Sequence, residues 1–92
     1  MNYFKVNDLA LSATLVCLGF PIDHLEPLEE GKVNFVFQDS ELLKAAINNY
    51  YTDQITVNPK WYFYALRDVK QRLWSDKRQV TGRFTFGKRG DN

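Results

Sequence analysis

Residues 9–18 are apolar except for Ser12 and Thr14, and this stretch constrains the fold more than any other feature of the chain. Asn7 or Asp8 offers an N-cap side chain before the stretch, and Gly19 and Pro21 behind it favour a helix stop. The pattern predicts a helix over about residues 8–18 that is apolar on almost every side. Such a helix lies at the centre of a domain or at an oligomer interface. It is too short to span a bilayer, which takes about 18 to 20 apolar residues.

Strands are predicted on both sides of this helix. Residues 3–6 alternate apolar and polar side chains, which is typical of a short half-buried strand. Residues 22–28 and 33–38 predict two further strands, joined through a hairpin turn at residues 29–32 in which Gly31 supplies a positive φ. The strand at 33–38 is the clearer of the two, because its apolar side chains recur at every second position.

Two more helices follow the hairpin. Asp39 or Ser40 caps the first of them, which has apolar residues at helical spacing and ends near residues 51–53. The other begins at Asn58-Pro59, where an N-cap residue is followed by a proline that suits the first helical position.

The length and composition favour one small domain. The chain has 92 residues, 45% of them hydrophobic, which excludes a multi-domain enzyme. The third helix is expected to end at about Trp74, and the glycine-containing basic residues 75–92 predict a flexible arm behind a domain of residues 1–74. The expected fold is α+β, with three helices packed on one face of a small antiparallel sheet. The predicted order is β-α-β-β-α-(β)-α, where the bracketed strand is the short extended stretch 54–57.

The residues that catalysis or metal binding requires are scarce. One cysteine excludes an internal disulfide, and one cysteine with one histidine does not make a zinc site. Ser12 and Cys17 fall in the apolar helix, where they are expected to be buried, while His24 lies in an acidic stretch without a nucleophile. The sequence therefore predicts a non-enzymatic protein without metal or cofactor, in the reducing cytoplasm and not in a membrane.

A succession of short segments connects the chain with a known family. The segments are Asp8-Leu9 at the start of the first helix, Leu18-Gly19-Phe20 at its end, the strand Val33-Asn34-Phe35-Val36-Phe37, the pair Tyr50-Tyr51, and Val57-Asn58-Pro59 leading to Leu66 and Lys70. Over residues 3–74 the chain resembles a small domain of unknown function found as a stand-alone protein in bacterial and phage genomes. The resemblance supports the fold and implies a phage or mobile-element origin. It implies no catalytic residue, because none is assigned in that family.

Charge is divided unequally along the chain. Residues 1–59 carry three basic and eight acidic side chains, a net charge of −5, and residues 60–92 carry nine basic and three acidic ones, a net charge of +6. Such asymmetry is typical of a basic region that contacts nucleic acid, an anionic surface or an acidic protein. Head-to-tail association of two copies would also use it.

The third helix divides into stripes on a helical wheel. The predicted core face is made of Tyr62, Leu66, Val69 and Leu73. A flanking stripe has aromatic and basic side chains without an acid: Phe63, Arg67, Lys70 and Trp74. In one interpretation the cations contact phosphates and the rings stack on unpaired bases. In the other, the two rings widen the core and the cations extend past them to water. The opposite flank is made of Trp61, Ala65, Asp68 and Arg72, and the last two are predicted to form a surface ion pair.

We expect the chain to be a binding module whose basic C-terminal third contacts nucleic acid. The residues predicted to contact phosphates are Arg67, Lys70, Arg72, Lys77, Arg78, Arg83, Lys88 and Arg89. The residues predicted to stack on bases are Phe63, Trp74, Phe84 and Phe86. The alternative is a protein-interaction module, an adaptor or an inhibitor of a host system. It would use the basic arm or the acidic hairpin against a protein partner, the hairpin being made acidic by Asp23, Glu26, Glu29 and Glu30. A homodimer is a further prediction, from the apolar first helix.

Overall fold

Three strands and three helices form the fold. A computed structural model describes the backbone of residues 2–81 and the side chains of residues 2–75. The helices and strands are β1 (Tyr3–Val6), α1 (Leu9–Cys17), β2 (His24–Pro27), β3 (Val33–Gln38), α2 (Glu41–Tyr51) and α3 (Pro59–Thr81), with a short 3-10 segment at Glu29–Gly31. The expected α+β class, with three helices and an antiparallel sheet, is confirmed.

Helix α1 occupies the centre of the molecule. The carboxylate of Asp8 accepts a hydrogen bond from the Leu11 N–H at 3.0 Å and so caps the first turn. At the other end Gly19 has a φ of 103°, and its N–H donates to the Val16 carbonyl. The five residues from Leu11 to Leu15 are buried, and the helix contacts α2, α3 and β1. Of the two places that its apolar pattern allows, α1 therefore has the central one.

The sheet has the order β1-β3-β2, with both neighbouring pairs antiparallel. Side chains at alternate positions point to opposite faces, so the register assigns each residue to one face. The inner face pairs Phe4 with Phe37, and Phe35 with both Val6 and Leu25. These side chains form the hydrophobic core with Leu11 and Leu15 of α1, Leu43 and Ala46 of α2, and Val69 of α3.

The outer face of the sheet is covered by polar side chains that bond to one another. Lys5 of β1 donates to Glu26 of β2 at 3.0 Å, and the amide of Asn34 donates to the other oxygen of that carboxylate at 3.1 Å. Val36, at the centre of this face, is 1% exposed. The network therefore shields one apolar side chain of the central strand and links all three strands.

Two predicted elements differ from the structure. The stretch 54–57 is not a strand, because it pairs with none of the three strands of the sheet, although Ile55 and Val57 are half-buried. Helix α3 does not end at Trp74, as predicted, but continues to Thr81. The extension is consistent with the composition, since residues 75–81 contain neither glycine nor proline to end a helix.

Candidate nucleic-acid interface

The helical wheel of α3 correctly predicts its inner face. Val69 is buried, and Tyr62, Leu66 and Leu73 are half-buried against the core. Ala65, which the wheel placed on a flank, is buried as well, at 6% exposed. A small side chain at that position allows α3 to lie close to the body of the domain.

The stripe made of Phe63, Arg67, Lys70 and Trp74 faces outwards. Phe63 is 59% exposed and Trp74 is 53% exposed, so the interpretation in which these rings widen the core is wrong. Arg67 and Lys70 are exposed between them. Phe63 and Trp74 are eleven residues apart, about three turns of helix, which separates them by about 16 Å along the axis.

Two further aromatic side chains join this stripe near the start of α3. The indole of Trp61 meets the ring of Tyr64 edge to face with 5.9 Å between centroids, and the ring of Phe63 lies 6.4 Å from that of Tyr64. The guanidinium carbon of Arg67 lies 5.2 Å above the Tyr64 ring, within range of a cation–π contact. We call the exposed set Trp61, Phe63, Tyr64, Arg67, Lys70 and Trp74 the aromatic-basic face.

Sequence reasoning missed Trp61 and Tyr64 as members of this face. The wheel placed Trp61 on the opposite flank, and its angles do not show how far a large ring reaches around a helix. The available signal was the spacing, because Trp61, Tyr64 and Arg67 follow one another at i, i+3 intervals, and side chains at that spacing are neighbours on a helix surface.

The first turn of α3 is held by its N-cap. The side-chain oxygen of Asn58 accepts hydrogen bonds from the N–H groups of Lys60 at 2.9 Å and Trp61 at 3.2 Å. Pro59 occupies the first helical position, where no N–H donor is needed. The aromatic rings of the first two turns therefore stand on a capped and regular helix.

Arg72 does not belong to the same surface as Arg67 and Lys70. Its guanidinium donates to the Ile22 carbonyl at 3.4 Å, on the segment that leads into β2. The ion pair predicted between Asp68 and Arg72 is absent from the part of the chain whose side chains are described. The predicted group of phosphate contacts is therefore divided, with Arg72 turned towards the sheet.

The rest of the predicted contacts lie at or beyond the limit of the described chain. Lys77 and Arg78 are on the helical backbone of α3, but their side chains are not among those described. The other predicted contacts fall outside the described residues altogether: Arg83, Phe84, Phe86, Lys88 and Arg89.

The acidic side chains next to the start of β2 are engaged in hydrogen bonds. The Asp23 carboxylate lies 2.7 Å from Nδ1 of His24 and accepts from the Gln38 amide at 3.2 Å. These two bonds, helped by the charge of Arg72, hold the pKa of Asp23 below its ordinary value. Glu26 likewise has a lowered pKa, because Asn34 and Lys5 donate to its carboxylate. These carboxylates link neighbouring strands of the sheet, and Asp23 also lies near Arg72 in the middle of α3.

Other kinds of site find little support among the described residues. No group of three or more His, Cys, Asp or Glu side chains within residues 2–75 is arranged to hold a metal ion. Ser12 is fully buried, whereas Cys17, which was expected to be buried, is half-buried. No helix in residues 2–81 is both long enough and apolar enough to cross a membrane.

The sequence of the chain matches the model of a known protein family. Residues 1–75 match the family model described as "Domain of unknown function (DUF5659)". The chain belongs to the DUF5659 family. The match covers all of β1 to α2 and the first part of α3 as far as Ser75, which includes every member of the aromatic-basic face. No curated protein and no solved structure matches the chain. These comparisons assign no activity to this DUF5659 chain.

Proposed function

We propose that this protein is a small non-enzymatic module that binds single-stranded nucleic acid through the aromatic-basic face of α3. The observation that supports the proposal is the exposure of Phe63 and Trp74 on either side of Arg67 and Lys70. The proposal includes the cytoplasm as the compartment and a phage or mobile element as the source, since both would supply such a partner.

The exposed rings suit unpaired bases. A flat ring can stack on any base, and such stacking contributes about 1 to 3 kcal/mol per base in proteins that bind single strands. In a duplex the base faces are already stacked, so rings on the side of a helix would find no base face to contact. Large side chains exposed together on one helix also add little to the stability of the domain itself, and a binding role accounts for them.

The cations between the rings suit the backbone of the same strand. Arg67 and Lys70 lie between Phe63 and Trp74 along the helix, so a strand that stacks at both ends passes both positive charges. The contact with Tyr64 restricts the Arg67 guanidinium before any ligand arrives, which reduces the entropy lost on binding. Basic residues 77 and 78 continue on the same helix.

The distribution of charge favours approach of the ligand to α3 over approach to the outer face of the sheet. The carboxylates of Asp23 and Glu26 lie at β2, where they bond to the outer face of the sheet. A polyanion is repelled from that side and attracted to α3 beyond Lys70, so the field of the protein favours approach along the helix. The strength of this effect decreases with salt.

The test is a fluorescence-anisotropy titration with labelled single- and double-stranded DNA and RNA at low and near-physiological salt. We expect salt-dependent binding that favours single strands. Replacing Phe63 and Trp74 together by alanine should abolish most of it, and replacing Arg67 and Lys70 by serine should lower the salt slope by about 0.7 per cation removed.

Matched controls are available on α2. Tyr51 is 65% exposed and Lys44 is exposed, so Tyr51→Ala and Lys44→Ser remove a ring and a cation from a different surface. These variants should bind like the wild type. Absence of binding at low salt, or equal losses from the α2 and α3 variants, would overturn the proposal and direct the search to an acidic protein partner by pulldown.

A further inference from the structure

Helices α1 and α2 end in the same backbone motif but with different residues at its left-handed position. At the end of α1, Gly19 donates to Val16 and Phe20 donates to Leu15. At the end of α2, Asp53 donates to the carbonyl of Tyr50 at 3.3 Å, and Gln54 donates to that of Asn49 at 2.8 Å. Both are the paired bonds of a Schellman cap, in which glycine is the preferred residue at the left-handed position.

Asp53 occupies that position with a φ of 60°. A side chain in this region adds conformational strain that glycine avoids, although aspartate tolerates it better than most residues. Its negative charge also lies at the C-terminal end of α2, where the carbonyl groups are already the negative end of the helix. The carboxylate therefore gives α2 no electrostatic stabilisation.

Asp53 lines a depression of 270 Å³ formed where α1, α2, the segment before α3 and the start of α3 meet. Ile55 and Val57 form an apolar wall, and Tyr50 and Tyr62 contribute aromatic rings and hydroxyl groups. No basic side chain lines the depression.

The polar side chains of the depression include the exposed carboxylate of Asp53 and the hydroxyls of Tyr50 and Tyr62, each of which can donate and accept a hydrogen bond. Within the described residues, neither tyrosine hydroxyl is hydrogen-bonded, and the Asp53 carboxylate forms no ion pair. The Thr14 hydroxyl is already used, since it donates to the Ala10 carbonyl at 2.8 Å. Burial, and then the nearby Asp8 and Tyr62, raise the pKa of Tyr50, so its hydroxyl stays neutral and can accept or donate.

We infer that this depression, the Asp53 pocket, binds an alkylammonium group, with the ammonium at the Asp53 carboxylate and its aliphatic stem against Ile55 and Val57. An ammonium group supplies three donors and a positive charge, which the carboxylate, the tyrosine hydroxyls and the end of α2 all favour. The ring faces of tyrosine attract cations too. A lysine side chain and a free polyamine share this chemistry. The inference is independent of the nucleic-acid proposal, because α3 contributes only Tyr62 to the pocket and that residue is not in the aromatic-basic face.

The test follows backbone amide chemical shifts of the full chain by NMR during titration with n-butylammonium chloride at constant ionic strength. We expect saturable shifts confined to the residues around the depression, namely residues 10–14 of α1, residues 50–57 and the start of α3. The neutral isostere n-butanol measures how much of the response comes from the apolar wall alone. Equal responses to the two probes, or no response around Asp53, would overturn the inference.

Variants separate the charge from the fold. Asparagine tolerates the left-handed region as aspartate does, so Asp53→Asn removes the charge and should weaken butylammonium binding about tenfold or more. Glu41→Gln removes a carboxylate at the far end of α2, where Glu41 is exposed, and should leave binding unchanged. Unchanged binding in Asp53→Asn would contradict the inference.

A second variant links binding to stability. Asp53→Gly should raise the midpoint of thermal unfolding, since it relieves the left-handed strain and removes a charge from the helix end, and should abolish binding of the probe. Retained binding in this variant would contradict the role of the carboxylate. Titrations with an acetylated lysine methylamide and with putrescine then compare a lysine side chain with a polyamine as the source of the ammonium group. The probe with the lower dissociation constant identifies the class of ligand.

Discussion

Helices α1 and α3 pack against each other, yet their surfaces are used in opposite ways. In α1 the residues on successive sides are small or aliphatic, and the middle of the helix is buried on every side. In the part of α3 whose side chains are described, one face is buried, and three large aromatic side chains, Trp61, Phe63 and Trp74, are more than half exposed. Aromatic content therefore does not measure the contribution of a helix to the core.

The difference shows which residues stabilise the fold and which are available for a ligand. The core is filled by aliphatic residues of α1 and by Phe35 and Phe37 of the sheet. The indoles of Trp61 and Trp74 are not needed for that purpose. A small domain buries a limited share of its surface, so large rings that remain outside the core are available to contact a ligand.

The largest expected effect comes from truncating the buried helix. Leu15 is completely buried, so Leu15→Ala should lower the free energy of unfolding by about 2 to 5 kcal/mol. Phe63→Ala on α3 should change it by no more than about 0.5 kcal/mol, although it removes a larger side chain. Urea denaturation followed by circular dichroism measures both. Similar losses in the two variants would show that the exposed ring of Phe63 packs in solution and would remove the contrast between the helices.

Substitutions in α3 should affect nucleic-acid binding more than substitutions in α1, the reverse of their order for stability. Trp74→Ala should raise the dissociation constant for a single strand by about 5- to 150-fold, as expected for the loss of one stacked base. Ala10→Ser in α1, at a half-buried position, should leave it unchanged as long as the protein stays folded. Anisotropy titrations at one salt concentration give both constants. A loss in the α1 variant as large as in the α3 variant would mean that binding depends on overall stability and not on the ring.

The same contrast explains how much of the molecule could be predicted. Caps and periodicity are local, so the sequence predicted where the helices begin. Asn58 forms the cap expected of it, and of the two candidates before each of the other helices, Asp8 and Ser40 form the cap. The strand Val33–Gln38 was predicted with its observed bounds, because its alternation reflects one buried face.

The remaining features depend on contacts that are distant in sequence. The burial of the Phe63 side chain depends on the distance between α3 and the sheet, which a helical wheel does not give. Arg72 is directed by the Ile22 carbonyl, fifty residues away, and not by its helical neighbour Asp68. The residues of the Asp53 pocket come from four segments, and none of them forms a motif on its own. Local pattern thus predicted the elements, and packing determined the surfaces.

A substitution at the C-terminal end of α1 should have a smaller effect on the free energy of unfolding. Gly19 has a φ of 103°, and a Cβ added there would meet no atom within 4 Å, so Gly19→Ala tests backbone strain without a clash. We expect a loss of about 1 to 2 kcal/mol in the free energy of unfolding, because an alanine side chain disfavours this conformation. Denaturant titration measures the change. A neutral result would show that the chain can leave α1 by another path, and the comparison of the Gly19 and Asp53 caps would then lose its basis.

The smallest expected effect concerns the attachment of α3 to the sheet. The middle of α1 is buried in the core, whereas α3 also contacts the segment before β2, where the Arg72 guanidinium donates to the Ile22 carbonyl near the Asp23 carboxylate. Because hydrogen bonds from His24 and Gln38 hold the pKa of Asp23 below its ordinary value of 3.8, the ionised carboxylate stabilises the folded state at higher pH. That contribution is lost as the pH falls from about 4 through the lower pKa of the folded state. Asp23→Asn should therefore lower the thermal midpoint slightly at neutral pH, and the difference from the wild type should shrink in this acidic range. A difference that persists unchanged there would assign the effect to the geometry of the side chain and not to its charge.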